Sequence, residues 1–337
     1  MRIAILAHEQ FPDGAKTAVG VLRYSDHDVV AVLDRERDGE RVADHDETLP
    51  DAPIVASLSE VDAPIDALLV GISPIGGGFD ESWRPDVRAA LERGCDVISG
   101  LHYFLTEDGE FRDLAEENGC ELWDVRRPPD DLGVAEGVAD EVEATVVATV
   151  GTDCGVGKMT TTLELVAGAR ERGIDAAFVP TGQTGIVIEG WGYPIDRTVS
   201  DFAAGAVEEM ILARGNDHDY LFVEGQASVA HPAYSPVSTA ILHGSMADEL
   251  VLCHAAGRER FHGFSQELPP IPEFVDLHES LAASVGGSEV VAGALNTRTI
   301  PDDAEAHAAV EAYADELGLP AADPIRQGTG VILDAVL

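Results

Sequence analysis

The feature that most constrains this chain is a glycine-rich segment, 151–162, between a predicted strand and a predicted helix. Residues 145–150 form an apolar, β-branched run, and a helical pattern continues to about Arg172. Glycines let backbone N–H groups converge, the helix start adds a positive dipole end, and Lys158 adds an ammonium group. We therefore predict a phosphate-binding loop. Its predicted cofactor contacts are Gly151, Thr152, Asp153, Cys154, Gly155, Val156, Gly157, Lys158, Met159, Thr160 and Thr161.

The segment departs from the usual phosphate-loop pattern at two positions. Gly151 lies one residue too early, and Met159 replaces the hydroxyl residue that normally contacts magnesium, for which Thr160 or Thr161 would have to substitute. The alternative is a glycine-rich turn that binds nothing. The strand before, the helix after and the retention of Lys158 in a chain with one other lysine, Lys16, favour phosphate binding.

Length and pattern predict two α/β domains. At 337 residues the chain is long enough for two cores. Short apolar runs alternate with helical patterns, which is typical of parallel sheets covered by helices. Prolines at 126–131 indicate a linker, so we predict a Rossmann-like domain over 1–130 and a doubly wound P-loop domain over 143–337. The predicted strands are 3–7, 29–33, 54–56, 67–72, 96–99, 121–125, 145–150, 176–180, 220–223, 250–253 and 290–295.

The charge excludes one class of partner. The chain has 62 acidic and 21 basic residues and a formal net charge of -41. Acids spread along the whole chain, with arginine as almost the only cation, indicate adaptation to high salt, where surface carboxylates are screened. Nucleic-acid binding needs clustered Lys and Arg, so we expect no such partner. With no CxxC pair, leader pattern or long apolar run, we expect no membrane association and a cytoplasmic location.

Several residues beyond the loop are candidate site residues. Glu224 ends a predicted strand, where α/β sheets place their ligand crevice, so it is a candidate catalytic residue; the alternative is a solvated glutamate. The segment 181–185 should lie beside the phosphate loop and bind ligand, unless it is a plain turn. Asp201 is a possible base or a solvated acid. The predicted substrate contacts are Thr181, Gln183, Thr184, Gln226, His231 and Ser235.

Two kinds of site are disfavoured by local pattern. Ser235 lacks the G-x-S-x-G surroundings of a nucleophile elbow. The histidines lack ligand spacing, so we predict no metal site.

Two further features keep two interpretations each. His231 is either a polar contact or a structural residue. The glycine-rich segment 71–78 either closes over the substrate or is a surface turn.

These motifs resemble known families. The loop reads Gly-Thr-Asp-x-x-Val-Gly-Lys, as in dethiobiotin synthetase and its relatives, and 223–225 resembles their acidic strand end. The chain more closely resembles a family first defined as a conserved domain of unknown function, whose characterised branch is the D-glutamate N-acetyltransferases. Ala227 stands where that family usually has glycine. The resemblance is carried by 15–18, 71–77, 99–102, 124–126, 151–162, 181–185, 223–226, 231–235 and 242–245.

The resemblance implies an acetyl-CoA-dependent N-acetyltransferase that acts on a D-amino acid such as D-glutamate. Glu224 and Asp201 are then the candidate bases, and Lys158 is a candidate donor to the thioester oxygen. An anionic substrate needs cations, for which Arg197, Arg258 and Arg298 are candidates. The alternatives are a ligase or kinase that uses ATP with magnesium, as in dethiobiotin synthetase, and a nucleotide-sensing module without catalysis. We expect a small-molecule substrate and a homo-oligomer.

Overall fold

The computed structural model describes residues 1–72, 74 and 76–337. Within them lie two six-stranded, all-parallel sheets. The strands are β1 (Arg2–Leu6), β2 (Asp28–Leu33), β3 (Ile54–Val55), β4 (Ala67–Val70), β5 (Asp96–Ser99), β6 (Leu122–Asp124), β7 (Thr145–Gly151), β8 (Ala176–Val179), β9 (Tyr220–Val223), β10 (Glu249–Ala255), β11 (Glu289–Asn296) and β12 (Ala321–Ala322).

Helices connect the strands of both sheets, with short 3-10 turns between them. The α-helices are α1 (Lys16–Tyr24), α2 (Arg84–Glu92), α3 (Gly109–Asn118), α4 (Lys158–Glu171), α5 (Gln183–Glu189), α6 (Ser200–Arg214), α7 (Ser235–Ser245), α8 (Ile271–Ala282), α9 (Asp303–Leu317) and α10 (Gly330–Val336). None of the helices within the described residues combines the length and the apolar character that a transmembrane span requires.

The first compact unit comprises 1–128 and 183–194. Its strand order, β3-β2-β1-β4-β5-β6, is that of a Rossmann-like sheet. The segment 183–194 contributes α5, whose Ile186 and Val187 are buried in the core of this unit. Asp34, at the end of β2, accepts hydrogen bonds from the N–H groups of Glu9, Phe11 and Glu36. In dinucleotide-binding sheets the carboxylate at this position contacts the ribose. Here the carboxylate of Asp34 is hydrogen-bonded to backbone N–H groups.

The second unit comprises 129–182 and 195–337. Its strand order is β12-β11-β10-β7-β9-β8. The inner strands β7, β9 and β10 are buried along most of their length, as expected for strands covered on both faces. The predicted fold class, a Rossmann-like parallel domain followed by a doubly wound P-loop domain, is confirmed.

The predicted strands agree with the structure to within two residues at each end, and the helix predicted to continue to about Arg172 ends at Glu171. Gly94 and Gly119, just after α2 and α3, have left-handed φ angles of 75° and 69°, as is common where helices end. β12 was not predicted, because two alanines give no periodic signal. Ser73 and Ile75, in the glycine-rich segment 71–78, lie outside the described residues.

Candidate functional site

The predicted phosphate loop follows β7 near the centre of the second sheet. β7 pairs with β10 on one side and with β9 on the other, so the loop leaves the sheet where the strand order reverses. Open α/β sheets bind their ligands at this point. Gly155 and Gly157 have left-handed φ angles of 67° and 104°, which glycine adopts without steric cost. The loop then ends at the positive N-terminal end of α4, a helix of 14 residues.

Lys158 occupies the inside of this loop. Its side chain is 6% exposed, and Nζ donates to the carbonyl oxygens of Asp153 and Ala227, both at 2.8 Å. Gly151 leaves room for it, because a Cβ there would lie 2.9 Å from Nζ. A buried ammonium held by neutral carbonyl groups keeps its charge available to attract an anion.

Thr152 attaches the loop to the neighbouring strand β10. Its N–H donates to the carbonyl of Cys253 at 3.1 Å, and its hydroxyl lies 2.8 Å from Nδ1 of His254. Burial, assisted by the positive charge of Arg258, lowers the pKa of His254 to about 4. His254 is therefore neutral at pH 7, and its contact with Thr152 helps to hold the loop against β10.

Asp153 links the loop to the segment 256–264, which follows β10. The side chain is fully buried. Its Oδ2 accepts hydrogen bonds from Nη1 of Arg258 and from the N–H of His262, each at 2.8 Å. Arg258, a sequence-based candidate for a substrate-binding cation, therefore contributes to the support of the phosphate loop.

His231 approaches the same carboxylate from the segment between β9 and α7. Its Nε2 lies 3.7 Å from Oδ1 of Asp153. The nearby thiol of Cys154 completes a group whose ligand atoms all lie within 4.8 Å of one another, the one His, Cys and carboxylate cluster of this kind found among the described residues. His231 and Asp153 are 1% and 0% exposed, whereas Cys154 is partly exposed.

Glu224 forms a second buried network at the end of β9. Its Oε2 accepts from the N–H groups of Thr181 and Gly182, both at 3.1 Å, and Nε2 of Gln226 donates to the carbonyl of Thr181 at 2.7 Å. The following residue must be Gly225, since a Cβ there would lie 1.8 Å from the carbonyl oxygen of Thr149. The structure thus brings Glu224, Thr181 and Gln226 together.

The remaining predicted residues make other contacts. Gln183 and Thr184 belong to the first unit, where Gln183 Oε1 accepts from Arg126 at 2.7 Å and the Thr184 hydroxyl lies 2.8 Å from that of Thr17. Asp201 is exposed on the first turn of α6. Ser235 is the first residue of α7, and its N–H donates to the carbonyl of His231.

The loop departs from the magnesium site of a nucleotide-hydrolysing enzyme at one residue. The residue after the loop lysine normally supplies a hydroxyl to the ion. Here it is Met159, which is 5% exposed, and a thioether is a poor ligand for a hard cation. Of the two threonines that could substitute, Thr161 is 4% exposed and its side chain bonds to Cys253, whereas Thr160 is half-buried. The loop therefore departs from the usual magnesium-binding pattern at Met159.

Comparisons with known proteins agree with this architecture. Residues 133–333 match the sequence profile of the P-loop domain of DUF1611, and residues 35–128 match its Rossmann-like N-terminal domain, both described as domains of unknown function. The chain is 37% identical over 271 residues to a curated protein from Tritonibacter scottomollicae and 34% identical over 267 residues to one from Pseudoalteromonas sp.. These cover 80% and 79% of both chains, and each relative is named D-glutamate N-acetyltransferase.

A solved structure of similar sequence shares the whole architecture. The crystal structure of a DUF1611 family protein from Anabaena variabilis has a TM-score of 0.95 and 38% identity, and the match covers 99% of this chain and 98% of that one.

Proposed function

Since the chain belongs to the DUF1611 family, we propose that it is an N-acetyltransferase acting on a D-amino acid such as D-glutamate. The acetyl donor is acetyl-coenzyme A, whose diphosphate the loop 151–162 holds. The reaction is supported by the two curated relatives, and the cofactor is supported by the loop. The observation that carries the cofactor assignment is the buried ammonium of Lys158 followed directly by Met159, which suits phosphate without magnesium.

Acetyl transfer needs a neutral amine, because its lone pair attacks the thioester carbonyl carbon. As the new C–N bond forms and the C–S bond breaks, a base takes the amine proton and coenzyme A leaves as the thiol. General-base assistance is worth about 10² to 10⁴ in rate. Glu224 is our first choice for this base, since two N–H groups fix its carboxylate at the C-terminal end of β9. Asp201 is the second choice, because its carboxylate is exposed to solvent and is not held in place as that of Glu224 is.

The thioester oxygen gains negative charge in the transition state and needs positioned donors. The N–H groups of the loop and the ammonium of Lys158 can serve as these donors only in a binding mode that brings the thioester to the loop, because the pantetheine arm of coenzyme A separates the thioester from the diphosphate. The candidate substrate contacts in the second unit are Thr181, Gln226 and Ser235. Those in the first unit are Gln183 and Thr184. We also propose a homo-oligomer that acts in the cytoplasm, with size-exclusion chromatography as the check on assembly.

A second candidate function, an ATP-dependent ligase or kinase, is favoured by the family of the loop sequence and opposed by Met159. One assay separates the two. The protein is incubated with D-glutamate and either acetyl-coenzyme A or Mg-ATP. Release of free thiol without ADP supports acetyl transfer, whereas ADP formation without thiol release supports the ligase. A Glu224→Gln variant should lose activity while it still binds coenzyme A.

A further inference from the structure

Two buried polar atoms face each other beside the phosphate loop without a bonding partner. Nε2 of His231 and Oδ1 of Asp153 are 3.7 Å apart, and within the described part of the chain neither atom has a hydrogen-bond partner. This separation is longer than a hydrogen bond. An unpaired buried polar atom costs about 1–3 kcal/mol, so a contact between these two atoms would stabilise the loop.

The backbone fixes which nitrogen of His231 carries the proton. Nδ1 accepts hydrogen bonds from the N–H groups of Ala233 at 3.1 Å and Tyr234 at 3.2 Å. A backbone N–H can only donate, so Nδ1 must present its lone pair. The neutral ring therefore carries its proton on Nε2, the atom that faces Asp153.

The ring is also held in place and kept neutral. Tyr234 stacks on it at 4.8 Å between centroids, and the edges of Phe261 and Phe264 pack at 5.4 and 5.1 Å. Burial lowers the pKa of His231, whereas the negative charge of Asp153 and the backbone of His262 oppose the shift. At neutral pH the side chain is thus a rigid, uncharged N–H donor.

We infer that His231 is a positioning residue of the phosphate loop, which donates its Nε2–H to Asp153 when the loop holds phosphate. This inference rests on the proposed phosphate-binding role of the loop. A movement of less than about 1 Å brings the two atoms to hydrogen-bond length. With Oδ2 already bonded to Arg258 and His262, the contact completes the bonding of Asp153, whose carbonyl receives Lys158.

The same geometry argues against two other roles. A metal bound by Asp153, Cys154 and His231 would need the lone pair of Nε2, and a metal-bound imidazole normally donates its other N–H to an acceptor. Here Nδ1 is itself the acceptor. A general base would likewise need an unprotonated Nε2. The cluster is therefore a hydrogen-bonding device and neither a metal centre nor a base.

The first test is the tautomer. Nitrogen NMR of histidine-labelled, unliganded protein at pH 7 should show a neutral His231 ring with the proton on Nε2. A His231→Gln spectrum assigns the signals. Adding coenzyme A, or inorganic pyrophosphate as a probe of the loop alone, should shift the Nε2 proton downfield as it enters a stronger hydrogen bond. A proton on Nδ1, or stoichiometric zinc bound after incubation with zinc salt, would overturn the inference.

The second test separates the donor from the packing. His231→Phe keeps an aromatic ring but removes the N–H, whereas His231→Gln keeps an N–H donor. Calorimetry with coenzyme A and with pyrophosphate should give about tenfold or greater loss of affinity for His231→Phe and most of the affinity restored in His231→Gln. Wild-type affinity in a folded His231→Phe variant contradicts the inference. Pyrophosphate binding without coenzyme A binding counts against the proposed function alone, and failure of both ligands to bind counts against both.

Discussion

The ammonium nitrogen of Lys158 lies 2.8 Å from the carbonyl oxygen of Ala227, whose backbone is left-handed with a φ angle of 46°. Alanine adopts the conformation that glycine favours, and it does so at the residue whose carbonyl receives the loop lysine.

We expect Ala227→Gly to change the free energy of unfolding by less than about 1 kcal/mol, because relief of the left-handed strain offsets the entropy that glycine loses. Ala227→Val should lower it by about 2 kcal/mol or more, since a β-branched residue is disfavoured at positive φ and the site is buried. Urea unfolding measures both values. Equal stability of the glycine and valine variants would mean that the turn is not left-handed.

A double-mutant cycle should detect the pairing of Asp153 with Arg258. Each single change, Asp153→Asn or Arg258→Met, should destabilise the protein by about 1–3 kcal/mol, and the double variant by less than their sum. The carboxylate is fully buried, whereas Arg258 is 27% exposed, so the coupling falls below that of a fully buried pair. Arg172→Ala, which removes the exposed pair with Asp334, is the control and should cost no more than about 1 kcal/mol. Strict additivity would contradict the pairing.

Stability should depend on the neutrality of His278. Burial lowers its pKa to about 4 from an ordinary value of 6.5, and Nδ1 lies 2.6 Å from the carbonyl oxygen of Phe274. As the pH falls, His278 takes up a proton in the unfolded chain before it does so in the folded chain. The free energy of unfolding is therefore at its full value above pH 6.5 and decreases as the pH falls towards 4. The loss amounts to at most about 3 kcal/mol. Denaturation curves of wild type and His278→Asn should therefore converge over this range, and parallel pH profiles would refute the prediction.

The acidic surface predicts a salt dependence. With a formal charge of -41, surface carboxylates repel one another until counterions screen them. The Debye length falls from about 10 Å at 0.1 M salt to about 3 Å at 1 M, so the midpoint of thermal unfolding should rise over this interval. Scanning calorimetry in potassium chloride measures it, with sorbitol of matched osmolality as the control. A flat response would remove the argument for adaptation to high salt.

Local pattern was sufficient for the fold. Strands such as β1 and β9 are continuous apolar runs because both faces of a parallel sheet are buried, and glycines mark where helices end. The P-loop domain was predictable for the same reason, since the glycines and the lysine of its loop lie within one short segment. The association of α5 with the first unit was not predictable, because its apolar residues do not reveal which core buries them.

The support of the loop could not be predicted from sequence. Asp153, His231 and Arg258 are far apart in the chain, and their contact depends on how the segments after β7, β9 and β10 meet at one edge of the sheet. No local spacing encodes that meeting. The sequence did contain one signal, which is an aspartate, Asp153, inside the predicted phosphate loop. It did not show which residues would bond to that aspartate.

The central claim is that the loop 151–162 binds the phosphates of coenzyme A through Lys158. Its most direct test is calorimetric titration of coenzyme A into wild type, Lys158→Ala and Arg172→Ala, the last removing a positive charge near the other end of α4. We predict that wild type and Arg172→Ala bind with the same affinity and that Lys158→Ala loses at least about thirtyfold. Undiminished binding of coenzyme A by a folded Lys158→Ala variant would contradict the account.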